Sequence, residues 1–128
     1  MLDTTFLIDA ERTGGGLDEV IDDDDDVAIA AITVAELKVG VELSRGKARS
    51  SRKDFLNDVL TSIPLLEYDL GVAEAHAQLL IAVRKQGRPR GAHDLVIAAT
   101  ALASQRVVVT ADLTAFEDLP GVDVLIHR

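Results

Sequence analysis

The order of apolar and polar positions divides the chain into strand-length and helix-length segments. "VAIAAI" at 27–32 is a continuous apolar run, the pattern of a strand covered on both faces. "PLLEYD" (64–69), the Val-rich "RVVVT" (106–110) and "VDVLI" (122–126) have strand length as well. Helical spacing marks "TTFLIDAER", stopped by Gly14, Gly15 and Gly16, then "TVAELKVGVELSR" (33–45) and "RKDFLNDVLTSI" (52–63). Two more helices follow, "GVAEAHAQLLIAVRKQG" (71–87) and "DLVIAATALASQ" (94–105), joined by the loop "GRPRGAH". The first of these ends at Gly87 with Arg84 and Lys85 in its last turn, where the helix dipole favours cations. "ADLTAFEDLPG" reads as a turn with a short helix, and "LDT" as the end of a first strand. Only two residues precede Asp3, so either the chain is trimmed at its start or that strand is abbreviated. Strands alternating with helices predict an α/β fold around a parallel sheet, and 128 residues without repeat or long linker predict one domain over 1–128.

Composition narrows this picture. Aromatic residues are only 3% of the chain, so the core must be built from Ala, Val, Leu and Ile. There is no cysteine, which excludes disulfides, thiolate zinc sites and thiol nucleophiles. No apolar run reaches the roughly 18 residues of a membrane span. The opening "MLDTTFLIDAER" carries acids where a signal peptide has a basic region, so a cytoplasmic location is expected. The net charge of −9 argues against a polyanionic partner, but its distribution argues the other way. Residues 38–53 hold Lys38, Arg45, Lys47, Arg49, Arg52 and Lys53 against the single acid Glu42, and Arg84, Lys85, Arg88 and Arg90 form a second basic group. A phosphate backbone responds to such local fields rather than to the average.

In a parallel α/β fold, strand C-termini and helix N-termini meet on one edge, where ligands bind. Four acids belong to that edge. Asp3 ends the first strand, Glu36 lies in the first turn of the helix after the second, Asp94 opens the helix before "RVVVT", and Asp112 follows that strand by two residues. Each has a plain structural reading. Asp3 and Asp112 suit helix caps, Thr33 and Glu36 have capping-box spacing, and Asp94 suits a helix dipole. Together, however, four converging carboxylates repel unless a cation neutralises them. Oxygen ligands without His or Cys indicate Mg²⁺ or Mn²⁺, ions that activate water in phosphodiester hydrolysis.

"LDTTFLID", "ITVAELKVGV", "GAHDLVIAATAL" and "VVVTADLTAFEDLPGVDV", in that order and spacing, resemble the PIN-domain ribonucleases, and most closely the VapC toxins of toxin–antitoxin pairs. The resemblance spans essentially the whole chain. It implies a three-layer α/β/α fold with a central parallel sheet of about four to five strands, and it carries the family's acidic site onto Asp3, Glu36, Asp94 and Asp112. It also implies Mg²⁺- or Mn²⁺-dependent endoribonuclease activity, often on structured RNA such as tRNA. It further implies a homodimer and heterotetrameric or larger complexes with a VapB-like antitoxin, whose C-terminal segment occupies a groove near the active site. Thr4 and Thr110 are expected to orient Asp3 and Asp112. Glu117 and Asp118 are candidates for a further acid near the fourth motif.

Arg88, Arg90 and His93 adjoin Asp94 and are candidates for phosphate contact, whereas the basic residues of 45–53 read as a solvated helix start. His76 reads as structural, and the three histidines have no metal-binding spacing. Phe6 and Leu43 are candidates for a dimer or antitoxin surface. A receiver-type phosphoacceptor needs an Asp ending a middle strand and a Lys ending the last; no Asp follows "VAIAAIT", and "VDVLI" runs into His127 and Arg128. A haloacid-dehalogenase-type phosphatase needs a second Asp where Thr5 stands. The remaining rival is a non-catalytic PIN-like module that binds RNA or protein, whose mark is a missing acid in the quartet; none is missing. The conspicuous run Asp22–Asp26 precedes the second strand, on the edge away from the four acids, and reads as a solvated turn.

Overall fold

The computed structural model describes residues 1–14 and 16–127. Gly15, one of the three glycines expected to stop the first helix, and Arg128, expected after the last strand, lie outside the described residues. The helices are α1 (Thr4–Arg12), α2 (Ala31–Leu43), α3 (Gly46–Ser62), α4 (Leu70–Gln86) and α5 (Ala92–Ala103). The strands are β1 (Ile29–Ala30), β2 (Leu65–Leu66), β3 (Val108–Thr110) and β4 (Val124–Ile126). No helix among the described residues is long and apolar enough to cross a membrane.

The strands form two parallel pairs, β1 with β2 and β3 with β4. Residues 1–3 join the pairs. Leu2 makes a parallel bridge to Val109, the Leu2 amide donates to the Ala28 carbonyl at 2.9 Å, and the Asp3 amide donates to the Val109 carbonyl at 3.0 Å. The expected first strand is therefore the middle of a five-segment sheet, reduced to bridge length. Side chains alternate across this sheet with period two. Met1, Ala30 and Val108 join one apolar cluster with Leu79, Leu95, Ile97 and Phe116; their neighbours Leu2 and Ile29 join a second with Phe6, Leu7, Phe55 and Val59. Helices α4 and α5 thus cover one face and α1 and α3 the other, the three layers expected. All three Phe residues are buried, and Ala98, Ala99 and Ala101 let α5 pack closely on its neighbours.

Two expected boundaries shift. The apolar run 27–32 contributes only Ile29–Ala30 to the sheet, because its partner β2 is itself two residues long, and α2 begins at Ala31 instead of 33. Helix α2 starts without a side-chain cap at Ala30, which removes the capping box expected from Thr33 and Glu36. Thr33 is a fully buried residue within the helix, and Glu36 falls in the second turn rather than the first. Helix α3 starts at Gly46, absorbing the basic stretch ahead of the expected 52–63. Helix α4 is bounded as its ends dictate. Asp69 accepts the Val72 amide at 2.9 Å, and Gly87 closes the helix in the left-handed region at φ 64°.

The Asp22–Asp26 run is exposed throughout, turned on itself by a bond from the Asp22 amide to Asp25, and tied to Arg106 through Asp26. Leu79 of α4 is 1% exposed, inside the apolar cluster between α4, α5 and the sheet. Leu79→Ala is expected to destabilise the fold by about 2–5 kcal/mol, read as a lower urea midpoint at unchanged m-value.

Candidate functional site

Asp3 leaves the sheet at its centre and caps α1. Its side chain is 1% exposed, yet it is fully engaged. Oδ1 accepts the Phe6 amide at 2.9 Å, the Thr5 hydroxyl lies 2.9 Å from both carboxylate oxygens, and the Thr110 hydroxyl donates to Oδ2 at 2.5 Å. Burial pushes the Asp3 pKa up, the bonds from Thr110, Phe6 and Thr5 pull it back, and the nearby Asp112 carboxylate pushes it up again.

Asp94 lies in the first turn of α5, and no side chain or amide among the described residues donates to its carboxylate. Its pKa is also raised, first by burial and then by Glu36, Asp3 and Asp112, with His93 opposing. Asp3 and Asp112 share Thr110 as a partner, Glu36 bonds the neighbouring Thr4, and Glu36 and Asp94 line one depression, so the four acids gather at one edge of the sheet. Glu36 points into the same place from α2. The Thr4 hydroxyl donates to its Oε1 at 2.7 Å, and His93 Nδ1 lies 3.5 Å from its Oε2. Asp112 caps the short turn Leu113–Ala115, accepting the Thr114 amide at 3.1 Å and the Thr114 hydroxyl at 2.6 Å on Oδ1, while its own amide donates to Thr110 Oγ1 at 2.9 Å.

Capping duty and convergence therefore coexist at Asp3 and Asp112, although they were alternatives in the sequence. The threonines divide their work differently from the expectation. Thr110 does tie Asp3 to the Asp112 backbone, but Thr4 holds Glu36, and it is Thr5 that holds Asp3. Thr5 stood in the sequence as a small polar residue two positions after Asp3; its role follows only from the hydroxyl bridging Asp3 and Thr110. Gly91 was also missed. A Cβ on it would sit 2.7 Å from Asp94 Oδ2, so the carboxylate occupies space that any other residue would fill.

Among the described residues, no three Asp, Glu or His side chains close on one point as a complete ligand set. Mg²⁺ keeps several waters and takes one or two protein carboxylates, so a pair such as Asp94 and Asp112 would suffice for it. Hard oxygens without thiolate or clustered imidazole match the same ions.

The other candidates separate. His93 is exposed and lines an open depression with Glu36, Gly91, Ala92 and Asp94. Arg88 and Arg90 turn away from that depression, onto the segment following Asp112. Arg88 pairs with Glu117 at 2.5 Å and with Asp118 at 3.1 Å, so these two acids neutralise an arginine instead of extending the acidic cluster. Phe6 is a core residue at 3% exposure with His127 packed edge-on at 5.0 Å, which removes it from any surface; Leu43 is 81% exposed. His76 is occupied by the Tyr68 hydroxyl at 2.9 Å.

A carboxyl whose pKa rises on folding holds its proton longer in the folded chain, so stability falls as pH climbs from its ordinary value through the raised one. Asp94→Asn removes that penalty. In EDTA near pH 7, the variant is expected to melt at a higher temperature than the parent chain, with the gain shrinking as pH approaches about 4. An equal melting temperature at both pH values would remove the electrostatic account of this cluster.

The PIN domain model matches residues 1–122. The chain is 35% identical over 101 residues to the VapC ribonuclease Y4jK of Sinorhizobium fredii, covering 76% of this chain and 71% of that one. It is 33% identical over 128 residues to ribonuclease VapC5 of Mycobacterium tuberculosis, covering 98% and 93%. Its fold superimposes on the DNA-bound VapBC complex of Salmonella typhimurium with a TM-score of 0.87 at 28% identity, over 98% of this chain and 96% of that one. With a buried Asp at the sheet centre and three further acids around it, the chain belongs to the PIN-domain family.

Proposed function

We propose that this PIN-family chain, read as one domain over its full length, is an endoribonuclease toxin that hydrolyses RNA phosphodiester bonds with Mg²⁺ or Mn²⁺. The carrying observation is the convergence of Asp3, Glu36, Asp94 and Asp112, with Asp94 left without a hydrogen-bond donor. Half-buried beside three other acids, Asp94 carries a charge that a bound cation would offset.

The residues divide the work. Asp3, held by Thr5, Thr110 and the Phe6 amide, offers a rigid carboxylate of fixed orientation. Asp94 and Asp112 complete the set, and Glu36, steadied by Thr4, assists from the rim. A divalent cation bound by these carboxylates would supply water activation and charge neutralisation at the phosphodiester. His93 faces solvent beside Asp94 and is placed to donate an imidazole N–H to a phosphate oxygen. Arg88 and Arg90 are not, because Glu117 and its backbone hold them.

The relatives' naming as VapC ribonucleases, and of one from Salmonella typhimurium as a tRNA(fMet)-specific endonuclease, supports RNA as the substrate, tRNA included; the cytoplasm is the place of action in this reading. A VapB-like antitoxin is the natural partner, as in the Salmonella complex, with a homodimer of this chain joining two such partners into a heterotetramer or larger assembly. A groove between α1, α2 and α3 suits the antitoxin's inhibitory segment. Its floor is Ile8, Leu37, Phe55 and Leu56, Arg12 and Arg52 stand at its edge, and it reaches Glu36.

The purified chain is expected to cleave RNA with added Mn²⁺ and to stop with EDTA. Asp94→Asn is expected to lower the rate by on the order of 100-fold or more, judged by the 10–100-fold typical of residues merely supporting a metal. Undiminished cleavage by both Asp94→Asn and Asp3→Asn would sink the mechanism.

A further inference from the structure

The two arginines beside Asp94 point at protein, and what they point at carries Asp112. The Arg88 guanidinium meets Glu117 Oε1 at 2.5 Å, Asp118 Oδ2 at 3.1 Å and the Thr114 carbonyl at 3.4 Å. Arg90 donates to the Glu117 carbonyl at 2.8 Å and to the Arg88 carbonyl. Gln86, at the end of α4, donates to the Asp118 carbonyl at 2.8 Å. Several bonds therefore fasten the loop before α5 to the turn after β3, two segments about 30 positions apart in sequence. Asp118 adopts a left-handed backbone at φ 62°, a conformation that a non-glycine residue keeps only where its surroundings hold it.

Each end of this fastening leads to one acid of the cluster. On one side, Thr114 receives Arg88 on its carbonyl and gives its amide and hydroxyl to Asp112 Oδ1. On the other side, the loop continues from Arg90 into Gly91, which caps α5 and leaves room for the Asp94 carboxylate. Asp3 and Glu36 are held by threonines, but Asp94 has no donor of its own. Its place is set by the backbone that carries it and by the space beside Gly91.

We propose that Arg88, Arg90 and Glu117 form a clamp that sets the position of Asp94 relative to Asp112, acting as positioning residues and not as phosphate ligands. The inference rests on the proposed metal-dependent reading of the same four acids. Gly91 belongs to the device. Its φ of −58° and ψ of 140° suit any residue, so what a side chain there would disturb is the Asp94 carboxylate and not the backbone.

The test measures Mn²⁺ affinity by electron paramagnetic resonance on the full chain, alongside the melting temperature in EDTA. Arg88→Met and Glu117→Gln are each expected to weaken Mn²⁺ binding about tenfold. The double variant should lose no more than the weaker single one, since both changes open the same clamp. Gly91→Ala should weaken Mn²⁺ binding while leaving the melting temperature unchanged, which keeps the test meaningful if a clamp variant folds poorly. The salt dependence of binding to unfractionated tRNA in EDTA supplies the opposing arm. If Arg88 touched an RNA phosphate, Arg88→Met would lower the slope by about one, whereas a positioning residue leaves it unchanged. Unchanged Mn²⁺ affinity in Arg88→Met, Glu117→Gln and Gly91→Ala, or a reduced salt slope without loss of Mn²⁺, overturns the clamp. A parent chain whose Mn²⁺ binding survives Asp94→Asn instead overturns the metal reading beneath it.

Discussion

A carboxylate at 1% exposure in the middle of a sheet is an expensive object, and the architecture around Asp3 meets that expense bond by bond. Its two oxygens take one amide and two hydroxyls, from Phe6, Thr5 and Thr110. The amide belongs to the helix that Asp3 caps, and Thr110 ends β3, the neighbouring strand, so the same bonds join the sheet to α1. Thr110 then receives the amide of Asp112 and sets the next acid. The order runs from the buried anion outward. Burial of Asp3 demands hydroxyls, the hydroxyls demand threonines at strand and helix ends, and those threonines fix what stands beside them.

The four acids are supported unequally, with Asp3 and Asp112 each accepting at least two bonds. Glu36 has one hydroxyl and an imidazole at 3.5 Å, and Asp94 has no donor. The gradient from anchored to open acid describes a site in which one ligand is prearranged and the others tolerate exchange of water. That pattern suits a cation that is reluctant to shed its hydration shell.

Helix positions were legible because apolar spacing and terminal signals agreed, as at Gly87, which ends α4; the cap at Asp69 was read instead as the end of a strand. The second strand is shorter than its apolar run suggests. Continuous apolar residues at 27–32 measure burial, and burial is shared by Ile29 in the sheet and Thr33 in the helix. Where one element yields to the other depends on the length of β2, far along the chain and invisible to local pattern. The four acids were legible because edge topology requires only element order. The partners of Arg88 and Arg90 were not, since a basic loop beside an acidic cluster looks the same whether it faces solvent or the turn at Glu117. Thr5 holds Asp3 where Thr4 was expected to, for a similar reason. Adjacent residues at a helix start point in different directions, and which direction meets Glu36 is a matter of tertiary placement.

Leu2 bridges Val109, and Asp3 bonds Thr110 across 107 positions of sequence. Contacts of such separation close only after nearly all of the chain is available, and they form late because the intervening loop must be ordered first. During synthesis on the ribosome, the first acid therefore emerges long before the strand that orients it. A nascent chain carries Asp3 and Glu36 but neither Asp94 nor Asp112 near them. The acidic cluster is therefore complete only once β3 and the turn after it have been made, long after Asp3 itself.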